Sequence, residues 1–202
     1  MKKRSDIDAI VFDLGRVLLT FDPLPHLQKL YPAALAERMN EAVYASRHWA
    51  EVDRGVLTME EVVARILRDA PDMAEWIQPA LDSYFDMIRP IPENVALLPK
   101  LKKAGYRLYV LSNFGESFFA RTRACNPFLE QFDGLLISGE ARILKPDVAI
   151  YLLLLHKFRL DPARTLFVDD RRDNIDGARA VGIRGICYSY HEQLEELFAR
   201  DA

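Results

Sequence analysis

The sequence predicts an α/β fold, in which a parallel β-sheet carries helices on both faces and a small all-helical cap is inserted after the first strand. From residue 93 onward, short apolar strands alternate with helices, a pattern typical of βαβ units. Between residues 24 and 88 the apolar positions follow helical spacing without a convincing strand. Half of the 202 residues are hydrophobic and 28% are charged, the balance of an ordinary globular protein.

The first strand pattern ends in a carboxylate. An apolar run over residues 10–12 leads into Asp13, and Gly15 opens a turn before a second apolar run over residues 17–19. In α/β proteins the carboxyl edge of a parallel sheet binds ligands. Asp13 therefore either attacks a substrate and forms a covalent intermediate, or caps the turn that follows it.

The helical block interrupts the alternation of strands and helices after the first strand, so it is well placed to form a lid over the carboxyl edge of the sheet. Thr58 and Glu61 stand at the spacing of a capping box and predict a helix start. We expect a core domain made of residues 1–21 and 90–202, with residues 22–89 forming the helical cap.

In the second half of the chain, predicted helices and strands alternate regularly. Gly105 and Gly182 follow predicted helices as C′ residues, and Pro146 is predicted in the first turn of another helix. The predicted helices cover residues 93–104, 117–125, 146–158, 175–181 and 192–200, and the predicted strands cover residues 106–112, 132–138, 164–168 and 183–187.

Polar side chains end three of the predicted strands, namely Asp13, then Ser112 and Asn113, then Asp169 and Asp170. These ends share one edge of a parallel sheet, so the groups should converge, together with Lys145 at the start of a helix. Carboxylates from two strands suit Mg²⁺, while a hydroxyl, an amide and a lysine suit a phosphate. The set predicts phosphoryl transfer to an enzyme carboxylate, assisted by Mg²⁺.

Four segments carry a family resemblance: F-D-L-G-R-V-L (12–18), L-S-N (111–113), L-K-P-D (144–147) and V-D-D-R-R-D-N-I-D-G-A (168–178). In order and spacing they resemble the four motifs of the haloacid dehalogenase superfamily of hydrolases, with a helical cap between the first two. The resemblance covers nearly the whole chain and implies a Rossmann-like core. It is greatest to the sugar-1-phosphate phosphatase branch, including glucose-1-phosphate phosphatases, and to the phosphatase-like domain of some epoxide hydrolases.

The resemblance also implies residue roles. Asp13 would be the nucleophile and a Mg²⁺ ligand, and the backbone carbonyl of Gly15 would be a second ligand. Ser112 would hydrogen-bond the phosphoryl group, with Asn113 beside it. Lys145 would steady both the phosphate and the Asp13 carboxylate.

The fourth motif supplies the remaining candidates. Asp170 matches the acidic metal-binding position, and Asn174 stands where many members have a second acidic residue that acts on the metal through water. Asp169 either supports the site or is structural, receiving backbone N–H bonds in its loop.

One position departs from the family pattern. Most phosphatases of the superfamily have a second aspartate two residues after the nucleophile, as general acid and base, but here that position is Gly15. General acid–base catalysis contributes about 10²–10⁴-fold in rate, so the loss should matter least for good leaving groups such as an anomeric sugar phosphate. Asp22 is a candidate substitute for that acid; alternatively, it is a turn residue that caps the next helix.

Within the cap, three residues close to a glycine turn are candidates for lining the substrate pocket: Arg47, Trp49 and Arg54, near Gly55. Helix packing and surface charge explain them equally well. The sequence therefore leaves the specificity of the site open.

Two other functions stay open. A 2-haloacid dehalogenase uses the same nucleophile against carbon without a metal, but usually lacks the acidic pair found here at Asp169 and Asp170. Alternatively, Gly15 marks a silent binding module, although Asp13, Lys145 and Asp170 are intact. The leading hypothesis is a Mg²⁺-dependent phosphatase acting on a small phosphomonoester.

Composition and charge limit the classes of partner and the cellular compartment that we expect. The formal net charge of −3 gives no reason to expect nucleic acid or an anionic membrane, and no apolar run reaches the roughly 18 residues of a membrane span. Two cysteines indicate a reducing compartment, and Asp6 and Asp8 interrupt any export signal. We predict a cytoplasmic protein whose partner is a small phosphorylated metabolite; the sequence indicates neither monomer nor dimer.

Overall fold

A parallel β-sheet lies at the centre of the molecule, whose computed structural model describes residues 3–199. Within these residues the sheet has five strands in the order β3-β2-β1-β4-β5. The strands are β1 (Ala9–Phe12), β2 (Arg107–Ser112), β3 (Gly134–Ile137), β4 (Thr165–Asp169) and β5 (Arg184–Cys187). The predicted α/β class is thereby confirmed.

The register of the central strands sets the position of the polar strand ends. Phe12, the last residue of β1, pairs with Val110 on one side and with Val168 on the other. All four residues of β1 are buried, as expected for a strand covered on both faces. Asp13 therefore leaves the sheet between the ends of β2 and β4.

Helices inserted between β1 and β2 form one block, here called the cap. They are α1 (Pro23–Leu30), α2 (Ala33–Ala42), α3 (Arg47–Asp53), α4 (Met59–Asp69), α5 (Ala74–Asp82) and α6 (Tyr84–Met87), with a short 3₁₀ turn at Pro71–Met73. The capping box at α4 is confirmed: the Glu61 N–H donates to Thr58 Oγ1 at 3.2 Å, and the Thr58 N–H donates to Glu61 Oε2 at 2.9 Å.

The remaining helices cover the two faces of the sheet. They are α7 (Pro92–Val95), α8 (Leu98–Lys103), α9 (Glu116–Cys125), α10 (Ser138–Ala141), α11 (Val148–Phe158), α12 (Arg172–Arg179) and α13 (His191–Ala199). One face of the sheet packs against α11 and α12 through Tyr151 and Ile175, and the other packs against α8 and the cap. Two 3₁₀ turns lie at Pro127–Gln131 and Pro162–Arg164.

Several predicted boundaries were wrong. The helix expected over residues 93–104 is divided into α7 and α8, because Pro99 has no N–H to continue the helical hydrogen bonds. Pro146 precedes α11 in a cis peptide bond, and Asp147 caps that helix by accepting the Ala149 N–H at 2.9 Å. Gly105 does end α8 with a φ of 94°. The predicted end of the last helix at residue 200 lies outside the described residues.

None of the helices in the described part of the chain has both the length and the hydropathy that crossing a lipid bilayer would require.

Candidate active site

A buried lysine joins two strand ends at the carboxyl edge of the sheet. The Nζ of Lys145 lies 2.9 Å from Asp13 Oδ1 and 2.6 Å from Asp169 Oδ2, and it donates to the Leu111 carbonyl at 3.1 Å. Lys145 is 4% exposed and Asp13 is 7% exposed. The predicted convergence of Asp13 with Lys145 and Asp169 is therefore present in the fold.

This buried charge cluster shifts the protonation equilibria of its members. Burial raises the pKa of Asp13, the Lys145 ammonium opposes that rise, and the Asp169 carboxylate adds to it. Burial acts to lower the pKa of Lys145, but the two carboxylates outweigh it and the net shift is upward. The arrangement keeps Lys145 as a cation next to the Asp13 carboxylate.

Asp169 is saturated with hydrogen bonds. Besides the ammonium of Lys145, its oxygens accept the Arg171 N–H at 2.9 Å and the Asn174 side-chain amide at 3.0 Å. Asp169 and Asn174 are both buried. Their arrangement therefore suits the orientation of Lys145 better than direct contact with a ligand.

The side-chain amide of Asn113 is engaged with the backbone of Lys145. Its Oδ1 accepts the Lys145 N–H at 2.8 Å, and its Nδ2 donates to the Lys145 carbonyl at 3.0 Å. Asn113 thus holds the loop that delivers the lysine. Ser112 is also buried, and it lines the same cavity as Asp13.

Three carboxylates at this edge have the spacing of a cation site. Asp13, Asp169 and Asp170 each offer one oxygen, and these atoms all lie within 4.8 Å of one another. Burial, with the nearby Asp169 carboxylate, raises the pKa of Asp170, and a bound cation would relieve that charge repulsion. Hard carboxylate oxygens suit Mg²⁺. Because both oxygens of Asp169 are already hydrogen-bonded, Asp13 and Asp170 are the side chains of this trio that fit the predicted metal.

These groups open into a cavity of about 330 Å³ between the sheet edge and the cap. Its floor includes Asp13, Gly15, Ser112, Lys145 and Asp170. The opposite wall is mainly aromatic and is formed by Phe21, Tyr44, Trp49 and Tyr84. The Tyr44 and Trp49 rings are packed edge to face with centroids 4.9 Å apart, so a bound molecule meets charge on one side and rings on the other.

Of the pocket-lining candidates predicted in the cap, one lines the cavity and two do not. Trp49 lines the cavity, whereas Arg47 pairs with Asp69 at 3.0 Å and Arg54 lies outside the cavity wall. Asp22 occupies the position before α1 but makes no capping bond with its side chain, which instead accepts from Arg16 Nε at 3.0 Å. Asp22 is not part of the cavity wall.

One wall residue, Asp53, was not singled out from the sequence. This half-buried carboxylate ends α3 and lines the cavity from the cap side. The available signal was a carboxylate directly before Arg54-Gly55, at the end of a helix that carries another candidate, Trp49.

The parallel sheet, its charged carboxyl edge and the inserted cap define a capped α/β enzyme with a carboxylate-rich site. Residues 7–182 match the family model for haloacid dehalogenase-like hydrolases. The chain belongs to this family of hydrolases, which confirms the resemblance carried by its four motifs.

Named relatives and a solved structure agree with this membership. The chain is 26% identical to the sesquiterpene phosphatase astK of Aspergillus oryzae, over 88% of each chain. It is also 26% identical to the N-acetylmuramic acid 6-phosphate phosphatase of Pseudomonas aeruginosa, over 93% of this chain and 84% of that one. A HAD family enzyme from Bacteroides thetaiotaomicron, solved with magnesium and inorganic phosphate, shares the fold with a TM-score of 0.71 and 23% identity, over 91% and 94% of the two chains.

Proposed function

We propose that this hydrolase is a Mg²⁺-dependent phosphatase that cleaves a small phosphomonoester through an aspartyl-phosphate on Asp13. The observation that carries the proposal is the ion pair of Asp13 with Lys145 on the floor of the cavity, beside Asp170. The sesquiterpene phosphatase and the N-acetylmuramic acid 6-phosphate phosphatase match most of this chain and support the choice of a phosphoryl group, whereas the related 2-haloacid dehalogenases match 52% of it.

The geometry suggests which atom of Asp13 attacks. Oδ1 already accepts hydrogen bonds from the Leu14 N–H at 2.7 Å and from Lys145 Nζ at 2.9 Å. In the proposed reaction Oδ2 therefore forms the bond to phosphorus while the ester P–O bond breaks. Water then attacks the same phosphorus, which releases inorganic phosphate and restores the Asp13 carboxylate.

Positive charge on the floor counters the charge of the phosphoryl group. Lys145 supplies one fixed cation, and Ser112, whose side chain hydrogen-bonds Asp13, would donate to a phosphoryl oxygen in this proposal. When bound, Mg²⁺ would be held by Asp13, Asp170 and the Gly15 carbonyl, and it would neutralise developing charge during the transfer. Asp169, Asn174 and Asn113 are positioning residues for Lys145 in this proposal.

The cap is proposed to select the alcohol part of the substrate. We infer a core domain of residues 1–21 and 90–202 and a cap of residues 22–89; three of the four aromatic wall residues, Tyr44, Trp49 and Tyr84, then belong to the cap. Aromatic rings offer an apolar face to a substrate, which suits the carbon face of a sugar ring. We therefore propose a sugar phosphate as the substrate class. The proposed location of the protein is the cytoplasm.

A phosphomonoester panel tests the proposal directly. We expect phosphate release from at least one small phosphate ester in the presence of Mg²⁺, and loss of that activity in EDTA. Halide release from a 2-haloacid that persists in EDTA would favour the dehalogenase alternative. Absence of turnover for every ester and haloacid would favour a silent binding module.

Replacing Asp170 should weaken the metal site selectively. We expect Asp170→Asn to raise the Mg²⁺ concentration needed for half-maximal activity by at least about tenfold, because a neutral amide oxygen replaces a charged ligand. Mg²⁺ should also raise the melting temperature of the variant less than that of the wild type. Asp176→Asn, which removes an exposed carboxylate of α12, is the control and should keep the wild-type response; equal responses of all three proteins would contradict the assignment.

A further inference from the structure

We propose that Asp53, which the cap contributes to the cavity wall, is the general acid and base that Gly15 cannot be. The inference rests on the proposed phosphatase function and adds a catalytic residue to it. It follows from where Asp53 lies, from how its carboxyl group is held, and from the electrostatic environment of that group.

Asp53 lines the cavity from the cap, whereas the nucleophile Asp13 lines it from the sheet edge. Lys145 lines the same cavity, while Gly15 on the floor has no side chain to give or take a proton. Of the aspartates and glutamates that line this cavity, Asp13, Asp53 and Asp170, two are assigned to attack and to the metal. Asp53 is the carboxyl group that remains for proton transfer.

Close contacts between the cap and the core fix the position of Asp53. Its Oδ1 accepts the Gly115 N–H at 3.1 Å, and its carbonyl accepts the hydroxyl of Ser138. The following turn is equally constrained: Gly55 has a φ of 72°, and a Cβ built there would lie 2.2 Å from the Gly139 carbonyl oxygen. The cap is thus docked on the core at the residue that would move the proton.

The surroundings favour the protonated form of this carboxyl group. Burial raises the pKa of Asp53 to about 8; the Gly115 N–H opposes the rise, the Asp13 carboxylate adds to it and the Lys145 ammonium opposes it. The charge of Asp53 also acts on Tyr84 of the cap, whose pKa is raised by burial and by Asp53, and Arg54 follows Asp53 in the chain. A general acid must hold its proton near neutral pH, and these surroundings meet that requirement.

The proton balance closes over both half-reactions. In the first, Asp13 attacks phosphorus, the ester P–O bond breaks, and the carboxylic acid of Asp53 protonates the departing alkoxide, giving a neutral alcohol and an Asp53 carboxylate. In the second half-reaction, the Asp53 carboxylate takes a proton from a water molecule while the oxygen of that water bonds to phosphorus. The aspartyl-phosphate bond breaks, and both aspartates return to their starting states.

The test is Asp53→Asn, with rates measured for phosphate esters whose leaving groups differ in acidity. The amide oxygen can still accept the Gly115 N–H, so the cap contact is retained while the transferable proton is lost. We expect kcat/KM for alkyl phosphates to fall by about 10²–10⁴-fold, while 2,4-dinitrophenyl phosphate, whose leaving group needs no proton, stays within about threefold of wild type. That retained rate also reports correct folding.

A structural role for Asp53 would lower the rates for both kinds of ester equally, and that result would overturn the inference. Glu51→Gln, on the same helix but outside the cavity wall, is the matched control and should keep both rates. The same leaving-group pattern in Asp22→Asn instead of Asp53→Asn would assign the acid to Asp22. If the wild type hydrolyses none of the esters, the proposed function itself fails, which is a different outcome from a failure of this inference.

The pH profile gives a second readout. With an alkyl phosphate, kcat/KM of the wild type should fall on the alkaline side with an apparent pKa near 8, because the acid loses its proton there. Asp53→Asn should lack that alkaline limb. An unchanged limb in the variant would contradict the role of Asp53 as the acid.

Discussion

Asp13→Asn should reduce the turnover of phosphate esters by at least about 10⁴-fold, the scale of loss seen when a covalent nucleophile is removed. The amide group has nearly the same shape, and its oxygen can still accept the Leu14 N–H and a hydrogen bond from Lys145. It is, however, a far weaker nucleophile than a carboxylate. The loss should therefore appear in kcat, with the fold intact by circular dichroism.

Trapping the aspartyl-phosphate distinguishes a nucleophilic role of Asp13 from a purely electrostatic one. Acid quenching of wild-type protein during turnover of a ³²P-labelled ester should leave label on the chain, and Asp13→Asn should carry none. Asp8→Asn is the matched control, since Asp8 lies just before the opposite end of β1 and pairs with Arg164 and Lys3. Labelling of the Asp13 variant at the wild-type level would rule out Asp13 as the nucleophile.

Lys145→Met should lower the free energy of unfolding by about 3–5 kcal/mol at neutral pH in EDTA, the cost of leaving buried charges without their partner. The Lys145 side chain is 1% exposed and neutralises both Asp13 and Asp169. Methionine has a similar length and no charge, so the two carboxylates would face each other across an apolar side chain. Urea denaturation measures the loss.

The pH dependence of this loss has a defined sign. Burial already raises the pKa of Asp13 in the wild type, and the Lys145 ammonium opposes that rise. Without the ammonium the pKa of Asp13 should rise further, so the folded variant binds more protons than its unfolded chain. Its stability should therefore increase as the pH falls from 8 towards 5, and the difference from wild type should shrink. A difference that stays constant over that range would contradict the electrostatic explanation.

Two further variants complete that experiment. Lys102→Met removes a partly exposed ion pair with Asp133 and should cost about 1 kcal/mol or less. Adding Asp169→Asn to Lys145→Met should recover part of the lost stability, because only one buried carboxylate then remains. Failure to recover any stability would assign the loss of Lys145→Met to packing.

The fold could be predicted from the sequence because its signals are local. An apolar run before Asp13 predicts the first strand, and the alternating pattern after residue 93 predicts the others. Parallel strands bring their carboxyl ends to one edge of the sheet. For that reason Asp13 and Asp169 were predicted to converge, with Lys145 expected to join them from the start of a helix, and Lys145 contacts both. Helix boundaries at Pro99 and Pro146 were less predictable, because local capping and peptide geometry determined them.

The roles within the fourth motif needed coordinates. Asp169 and Asp170 are adjacent in sequence, yet the first is saturated by Lys145, Asn174 and the Arg171 N–H, while the second faces the cavity. Successive residues at a strand end point in different directions, but sequence spacing does not reveal which one meets a hydrogen-bond donor. Similarly, both ends of the Asn113 amide are used on the backbone of Lys145.

The amino-acid sequence by itself determined the α/β class, the helical insertion and the family of hydrolases, because strand and helix patterns and motif order are properties of the chain alone. Only the tertiary structure decided that Asp53 lines the same cavity as Asp13, and that Asp22, although paired with Arg16, does not line it. The physical reason is that the cap approaches the core through long-range contacts, such as that of Asp53 with Gly115. Helical periodicity within the cap does not specify which of its residues those contacts bring to the site.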